Sequence, residues 1–281
     1  MEQPTPPPEI FDRRRRRALR ERAARRTGDD FLWQYVAGEL AERLALVSRS
    51  FDSALVIGPM AGYAADITGG RQCAVSFACF GEGEMPDAII AEEDRLPFEQ
   101  ASFDLVIAGG TLDSVNDLPG ALVQIRRILK PDGLFLGHIF GAGSLATLKS
   151  LMVASDGDSA APHVHPQIDL RSAADLLSRA GFALPVADAD TIKVRYRDWR
   201  MIVADIRDAG VGNALAGQKR YSGRSMGSRL DSAWRQRADP AGKIEEQFTH
   251  IFLSGWAPSP AQPKPARRGS GTVSLASVLK P

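Results

Sequence analysis

The chain has 281 residues, 44% hydrophobic and 25% charged, and 35 Lys plus Arg face 34 Asp plus Glu for a formal net charge of +1. These are the proportions of an ordinary globular protein, long enough for one large domain or two small ones without a disulfide or metal staple. The near-zero balance excludes a general nucleic-acid binder, and no apolar run is long enough to span a bilayer. Cys73 and Cys79 share one apolar stretch and read as buried thiols of a reducing compartment. Residues 1–10 are Pro-rich and lack the apolar segment of a secretory signal. The Arg-rich stretch that follows has Asp12, Glu21, Asp29 and Asp30 within or beside it, which a mitochondrial presequence would avoid. A cytoplasmic location is expected.

In chain order, residues 1–8 hold four prolines and few apolar groups and are expected to be disordered. Residues 11–26 read as a helix loaded with arginine. Asp29 or Asp30 caps the next, whose apolar stripe is Leu32, Val36, Leu40 and Leu44, broadened by Tyr35 and Val47. From Ala54 the rhythm changes to short apolar runs: 54–57 ending at Gly58, then 73–80, 87–91 and 103–108. A helix capped by Asn116 or Asp117 buries Leu118, Leu122, Ile125 and Leu129 and stops at Lys130-Pro131-Asp132-Gly133, before a fifth strand over 134–140. A helix over 172–180 closes at Gly181, a sixth strand covers 182–186, and a late strand covers 248–254. The stretch 196–243 is polar and Gly-rich, helical with loops. Almost wholly apolar strands alternating with amphipathic helices imply a doubly wound, mostly parallel α/β sheet covered on both faces. The expected division is a disordered 1–10, helices in 11–48, the α/β domain in 49–256, and a Pro/Gly/Ser-rich tail in 257–281.

The turn after the first strand reads Gly58-Pro59-Met60-Ala61-Gly62, at the place where doubly wound sheets bind nucleotides. Ala91-Glu92-Glu93-Asp94-Arg95-Leu96-Pro97-Phe98, Ser102-Phe103-Asp104-Leu105-Val106 and Leu129-Lys130-Pro131-Asp132-Gly133 follow it in order. Together these segments resemble the later motifs of class I S-adenosylmethionine-dependent methyltransferases. Ile10-Phe11-Asp12-Arg13, Val115-Asn116-Asp117-Leu118-Pro119, Pro162-His163-Val164 and Gly255-Trp256 narrow the resemblance. So do Lys264-Pro265 and the segment from Arg268-Gly269-Ser270 to Thr272-Val273-Ser274. The chain is similar to the methyltransferase-like assembly factors of respiratory complex I, a family associated with hydroxylating an arginine of a complex I subunit. More distantly it is similar to the malonyl-carrier methyltransferases of biotin synthesis. The resemblance implies a Rossmann-like methyltransferase fold with helical N- and C-terminal extensions. It also implies S-adenosylmethionine as cofactor and a protein substrate or assembly partner, such as a complex I subunit.

Several positions depart from that pattern. The acid expected two residues before Gly58 is Val56, Met60 replaces the middle glycine of the loop, and Ser76 stands nearest to the ribose-binding acid of the second strand. Glu92 alone keeps an acid, at the position that would meet the adenine amino group. Losing one charged hydrogen bond weakens binding by about ten- to a hundredfold. The cofactor-binding candidates are therefore Gly58, Met60, Gly62, Ser76 and Glu92, with binding weakened or lost. Where the family favours a Leu-His-Trp-type segment, this chain has Leu112-Asp113-Ser114, so no general base is evident. Asp113, Ser114 and His163 are the catalytic candidates. His163 with His165 as metal ligands is the weaker alternative to a lid or substrate contact, and no metal is expected. His138 reads as a satisfied core histidine and Asp104 as an anchor of the fourth strand.

The arginines at 13–17, 20, 22, 25 and 26 read first as a solvated face, but consecutive arginines surround a helix, so some must turn toward the domain or a partner. An acidic protein or a peripheral membrane contact is the alternative. Two functions stay open. One is an enzyme modifying a protein or small molecule with S-adenosylmethionine, where hydroxylation would need an oxidant the sequence does not reveal. The other is a pseudoenzyme scaffold that binds an assembly partner through its arginine helix. A nicotinamide dehydrogenase is disfavoured, because the loop lacks Gly-x-Gly-x-x-Gly and no acid follows the second strand.

Overall fold

The computed structural model describes residues 9–79, 87–156, 162–217 and 225–262. The expected disordered residues 1–8 and the tail from residue 263, with its Lys264-Pro265 and Arg268 to Ser274 segments, lie outside them. Seven strands form one sheet: β1 (Ser53–Ile57), β2 (Ala74–Cys79), β3 (Ile89–Ile90), β4 (Phe103–Gly109), β5 (Leu129–Phe140), β6 (Ala183–Tyr196) and β7 (Ile244–Trp256). Their order is β3-β2-β1-β4-β5-β7-β6. β1 to β5 run parallel, and β7 is inserted antiparallel between β5 and β6. The order reverses on either side of β1 and β4, which opens a crevice at their carboxyl ends.

Helices cover both faces: α1 (Arg13–Ala24), α2 (Phe31–Ala45), α3 (Ala64–Thr68), α4 (Leu118–Ile128), α5 (Ala146–Ser155), α6 (Leu170–Arg179), α7 (Trp199–Asp208) and α8 (Ser225–Arg237). One core layer gathers α2 (Leu32, Val36, Leu40, Leu44) with Val56, Met60, Phe248 and Trp234. The other gathers α4 and α6 (Leu122, Ile125, Leu177) with Leu55, Val106 and Phe135. The 11–48 segment is thus built into the core through α2. Caps follow the sequence: Asp12 accepts from Arg15 N at 3.0 Å and Asp117 from Gly120 N at 2.8 Å. At α2 it is Asp29, and not Asp30, whose carboxylate meets the backbone, at Phe31 N.

Several boundaries differ from expectation. β5 starts at Leu129, so Lys130-Pro131-Asp132-Gly133 lies within the strand, with an irregularity in pairing between Phe103 and Leu105. β6 runs for 14 residues, far beyond the apolar run over 182–186. It lies at the sheet edge with mostly exposed or half-buried side chains, so its polar half had no apolar pattern to betray it. Within the predicted run 87–91, only Ile89 and Ile90 pair. Cys79 is buried and Cys73 half-buried, and neither is in a disulfide.

Asp104 anchors β4 as expected. Its Oδ2 accepts from Ser53 N at 3.0 Å, Ser53 Oγ at 2.9 Å and Lys130 Nζ at 3.0 Å. Burial opposes ionisation there, but Lys130 and Ser53 prevail and hold the carboxyl below its usual range.

Candidate functional site

The Gly58–Tyr63 turn sits at the carboxyl end of β1 as a 3-10 helix. Gly58 has φ +78°, and a Cβ there would lie 3.0 Å from the Thr111 side chain, so glycine is needed twice over. Gly62 differs: a Cβ there meets nothing within 4 Å, so packing does not demand glycine. Met60 is fully buried, folded beneath Gly109, where an added Cβ would come within 2.5 Å of Met60 Cγ. Val56 is equally buried. Ser76, expected nearest to the ribose, lies mid-strand opposite Leu55 and exposed, and β2 ends three residues later at buried Cys79. Counting from the apolar run alone could not fix the strand end that faces the crevice.

The crest of the sheet is dominated by α1. Arg13, Arg16 and Arg20, three and four residues apart, share the inward face. Arg13 pairs with Glu92 and reaches Asp94 Oδ2 at 2.7 Å. Arg16 Nη1 donates to Glu93 Oε2 at 2.8 Å, Nη2 to Glu93 Oε1 and, at 2.5 Å, to the Thr111 carbonyl, and Nε to Ser114 Oγ at 2.8 Å. Thr111 Oγ1 also donates to Glu93. Arg20 donates to the Gly110 carbonyl. Glu93 is 1% exposed, and its burial outweighs Arg16 and pushes its carboxyl above the usual range. Sequence reasoning missed Glu93. The helical spacing of the three arginines against the Glu92-Glu93-Asp94 run was the available signal.

Three of the motifs that narrowed the resemblance, those around Phe11, Asn116 and Pro162, converge here. Asn116 Oδ1 accepts from Phe11 N at 2.8 Å, and Asn116 Nδ2 returns a bond to the Phe11 carbonyl at 3.0 Å. Phe11 packs edge-on to His165 at 5.0 Å, and Asn213 Nδ2 donates to the Pro162 carbonyl at 2.7 Å.

Leu112–Ser114 is a short 3-10 turn that parts the two expected neighbours. Ser114 faces α1 and is engaged by Arg16. Asp113 lines a cavity of about 310 Å³ shared with Leu19, Phe140, Leu148, Val203 and Phe248. Its Oδ1 accepts from Phe140 N, while its Oδ2 is buried with no partner. Burial raises this carboxyl to about 6, against the Phe140 bond and the charges of Arg20 and Arg16. His163 also lines the cavity, with Nε2 2.7 Å from Asp156 Oδ1. His165 instead accepts from Ala214 N through Nε2 at 2.7 Å. The two histidines serve different partners, and among the described residues no group of three or more His, Cys, Asp or Glu is placed to hold a metal. His138 is buried, and its Nε2 lies 2.9 Å from Nδ1 of buried His250. The outer nitrogen of each ring lacks a partner, so the expectation of a satisfied core histidine is met only in part.

Comparison with known proteins places this geometry. Residues 60–137 match the methyltransferase-domain family. The human protein described as "Arginine-hydroxylase NDUFAF5, mitochondrial" is 32% identical over 288 aligned residues, which cover 96% of this chain and 84% of that protein. The chain belongs to the NDUFAF5 family. A malonyl-[acyl-carrier protein] O-methyltransferase of Laribacter hongkongensis is 31% identical, over 64% of this chain and 59% of its own length. Among solved structures, the YcgJ protein of a Bacillus aligns with TM-score 0.55 at 15% identity, over 80% of this chain and 99% of that one, which bears on the fold. The fold is therefore the Rossmann-like methyltransferase sheet, and the NDUFAF5 relationship extends through α1 and the strands beyond residue 137. Among the described residues no helix is long and apolar enough to cross a membrane.

Glu92, the acid that would face an adenine amino group, is held by Arg13. The cavity beside Gly58 and Gly62 measures about 230 Å³, short of the roughly 300–1,000 Å³ of small-molecule sites. The Asp113 cavity reaches that range.

Proposed function

We propose that this chain is a methyltransferase-fold assembly factor of respiratory complex I, which receives an arginine side chain of a protein partner in the Asp113 cavity. The observation that carries the reading is the Asp113 carboxyl: Oδ2 is buried without a partner, at the wall of a ligand-sized, mainly apolar cavity beyond the carboxyl end of β4. An unpaired buried acceptor is costly, and a cationic donor on an aliphatic stem satisfies it while the stem lies against Leu148, Val203 and Phe248. Membership of a family whose human representative is described as an arginine hydroxylase supports the same occupant. His163 contributes to the cavity wall as a substrate contact.

The pseudoenzyme reading rests on α1. Its inward arginines are committed to the crest, which leaves Arg14, Arg17 and Arg22 exposed for an acidic partner or an anionic membrane surface. If S-adenosylmethionine were bound, Gly58, Gly62 and Glu92 would hold it, with Met60 and Val56 offering no polar group.

The test is calorimetric titration of the full chain with an arginine-containing peptide and with the same peptide carrying citrulline, an uncharged isostere. Arginine should bind saturably and citrulline about ten- to a hundredfold more weakly, with Asp113→Asn losing a similar factor toward arginine. Equal binding of the two peptides, or an unaffected Asp113→Asn, refutes the role of Asp113.

A further inference from the structure

α1 carries arginine on opposed faces, and only the inward one is engaged with the sheet. Arg13 and Arg20 meet the crest where this fold offers a nucleotide its acid and its turn, and Arg16 lies between them on Glu93. Arg13 takes Glu92 and Asp94 together. Arg20 takes the Gly110 carbonyl, and its side chain forms part of the wall of the cavity over Gly58 and Gly62. Trp33 closes the same cavity from α2, and a Cβ at Gly110 would lie 2.2 Å from its ring, so the backbone and the indole are already in contact. Arg26, bonded to Asp208, ties the end of the helix to α7 beside the same cavity.

We propose that α1 is an intramolecular plug of the cofactor crest. Arg13 and Arg20 exclude S-adenosylmethionine from the folded chain, and the crest becomes available only when that arginine face is removed or lifts away. Two physical effects act together. Arg13 offers Glu92 a charge-assisted pairing, which the neutral amino group of an adenine does not match. The Arg20 side chain holds the cavity below the size of a small-molecule site, and truncating it opens the space above the Gly58 turn. The buried Arg16 with Glu93 is the post on which the plug stands, so it fixes the helix in register without touching the cofactor position itself. The inference concerns the cavity over Gly58 and Gly62, which shares no lining residue with the Asp113 cavity, and its readout is cofactor binding, so it stands or falls independently of arginine capture.

Equilibrium dialysis of the full chain against labelled S-adenosylmethionine and S-adenosylhomocysteine tests it, beside Arg13→Ala and Arg13→Ala/Arg20→Ala. Arg16 and Glu93 stay intact to protect the fold, and cooperative thermal unfolding verifies that each variant is native. The full chain should show no saturation up to about 1 mM, and the double variant should gain at least about tenfold in affinity. Arg13→Ala, at a partly exposed helix position, should gain a smaller factor and carries the comparison should the double variant not fold. Micromolar binding by the unmodified chain overturns the proposal. So does a folded variant that binds no better than the unmodified chain, because α1 would then not be what excludes the ligand.

Discussion

Replacing Arg16 by alanine measures what the crest of this protein is worth. Arg16 is 6% exposed and Glu93 1% exposed, and four of the bonds at this point run through the Arg16 guanidinium. Arg16→Ala leaves Glu93 dry and without its cation, which costs about 3–5 kcal/mol. For a chain of this size that lowers Tm by roughly 6–20 °C, at about 2–4 °C per kcal/mol. Arg16→Met with Glu93→Leu removes both charges and keeps an apolar filling of similar volume. It should be within about 1 kcal/mol of the native chain, the residual coming from the Thr111 hydroxyl that loses its acceptor. The pH dependence has a definite sign. Without Arg16, Glu93 folds only in its neutral form, so its folded pKa rises further above the unfolded one, and the stability it retains at low pH is lost as pH rises. The deficit of Arg16→Ala should therefore shrink between pH 7.5 and 5. Urea unfolding of the three proteins at both pH values provides the numbers. A deficit below about 1 kcal/mol for Arg16→Ala, or an equal deficit for the apolar pair, would show that Glu93 is not dependent on Arg16.

Acid should unfold the protein through its buried histidines. Burial lowers His250 to about 4 and His138 well below its ordinary value, and His165 is lowered to about 4 by burial with Arg16 and Arg20. The unfolded chain binds protons that the folded one refuses, so stability is complete above about pH 6.5 and falls toward pH 4, by roughly 3 kcal/mol for His250 alone. Denaturant midpoints that stay flat between pH 7 and 4.5 would contradict this. Gly109→Ala drives a methyl toward Met60 Cγ, 2.5 Å away, and should cost about 1–3 kcal/mol. Combined with Met60→Ala the two should cost less than their sum by at least about 0.5 kcal/mol, and strict additivity in a double-mutant cycle would place Met60 elsewhere.

The sequence by itself determined the parallel sheet. The runs at 54–57, 103–108 and 134–140 are almost wholly apolar because those strands are buried on both faces. The helices between them announced themselves through Leu32, Val36, Leu40 and Leu44, and through the cap at Asp117. It also located the glycine turn at the carboxyl end of β1, where Gly58 takes a positive φ. The reach of β6 was hidden, because an edge strand with exposed side chains carries no apolar pattern. Only the tertiary structure decided the site. Ser76 and Cys79 are indistinguishable as residues of an apolar run until the register against β1 fixes which one reaches the rim. Asp113 and Ser114 are adjacent in the chain, yet the turn sends one to the cavity and the other to Arg16. Above all, seven arginines in one helix read first as a solvated face, while two of them, Arg13 and Arg16, meet Glu92, Glu93 and Asp94 from about eighty residues away. Charge pairing depends on which surfaces the fold brings together, and local spacing records the face of a helix but not what that face will meet.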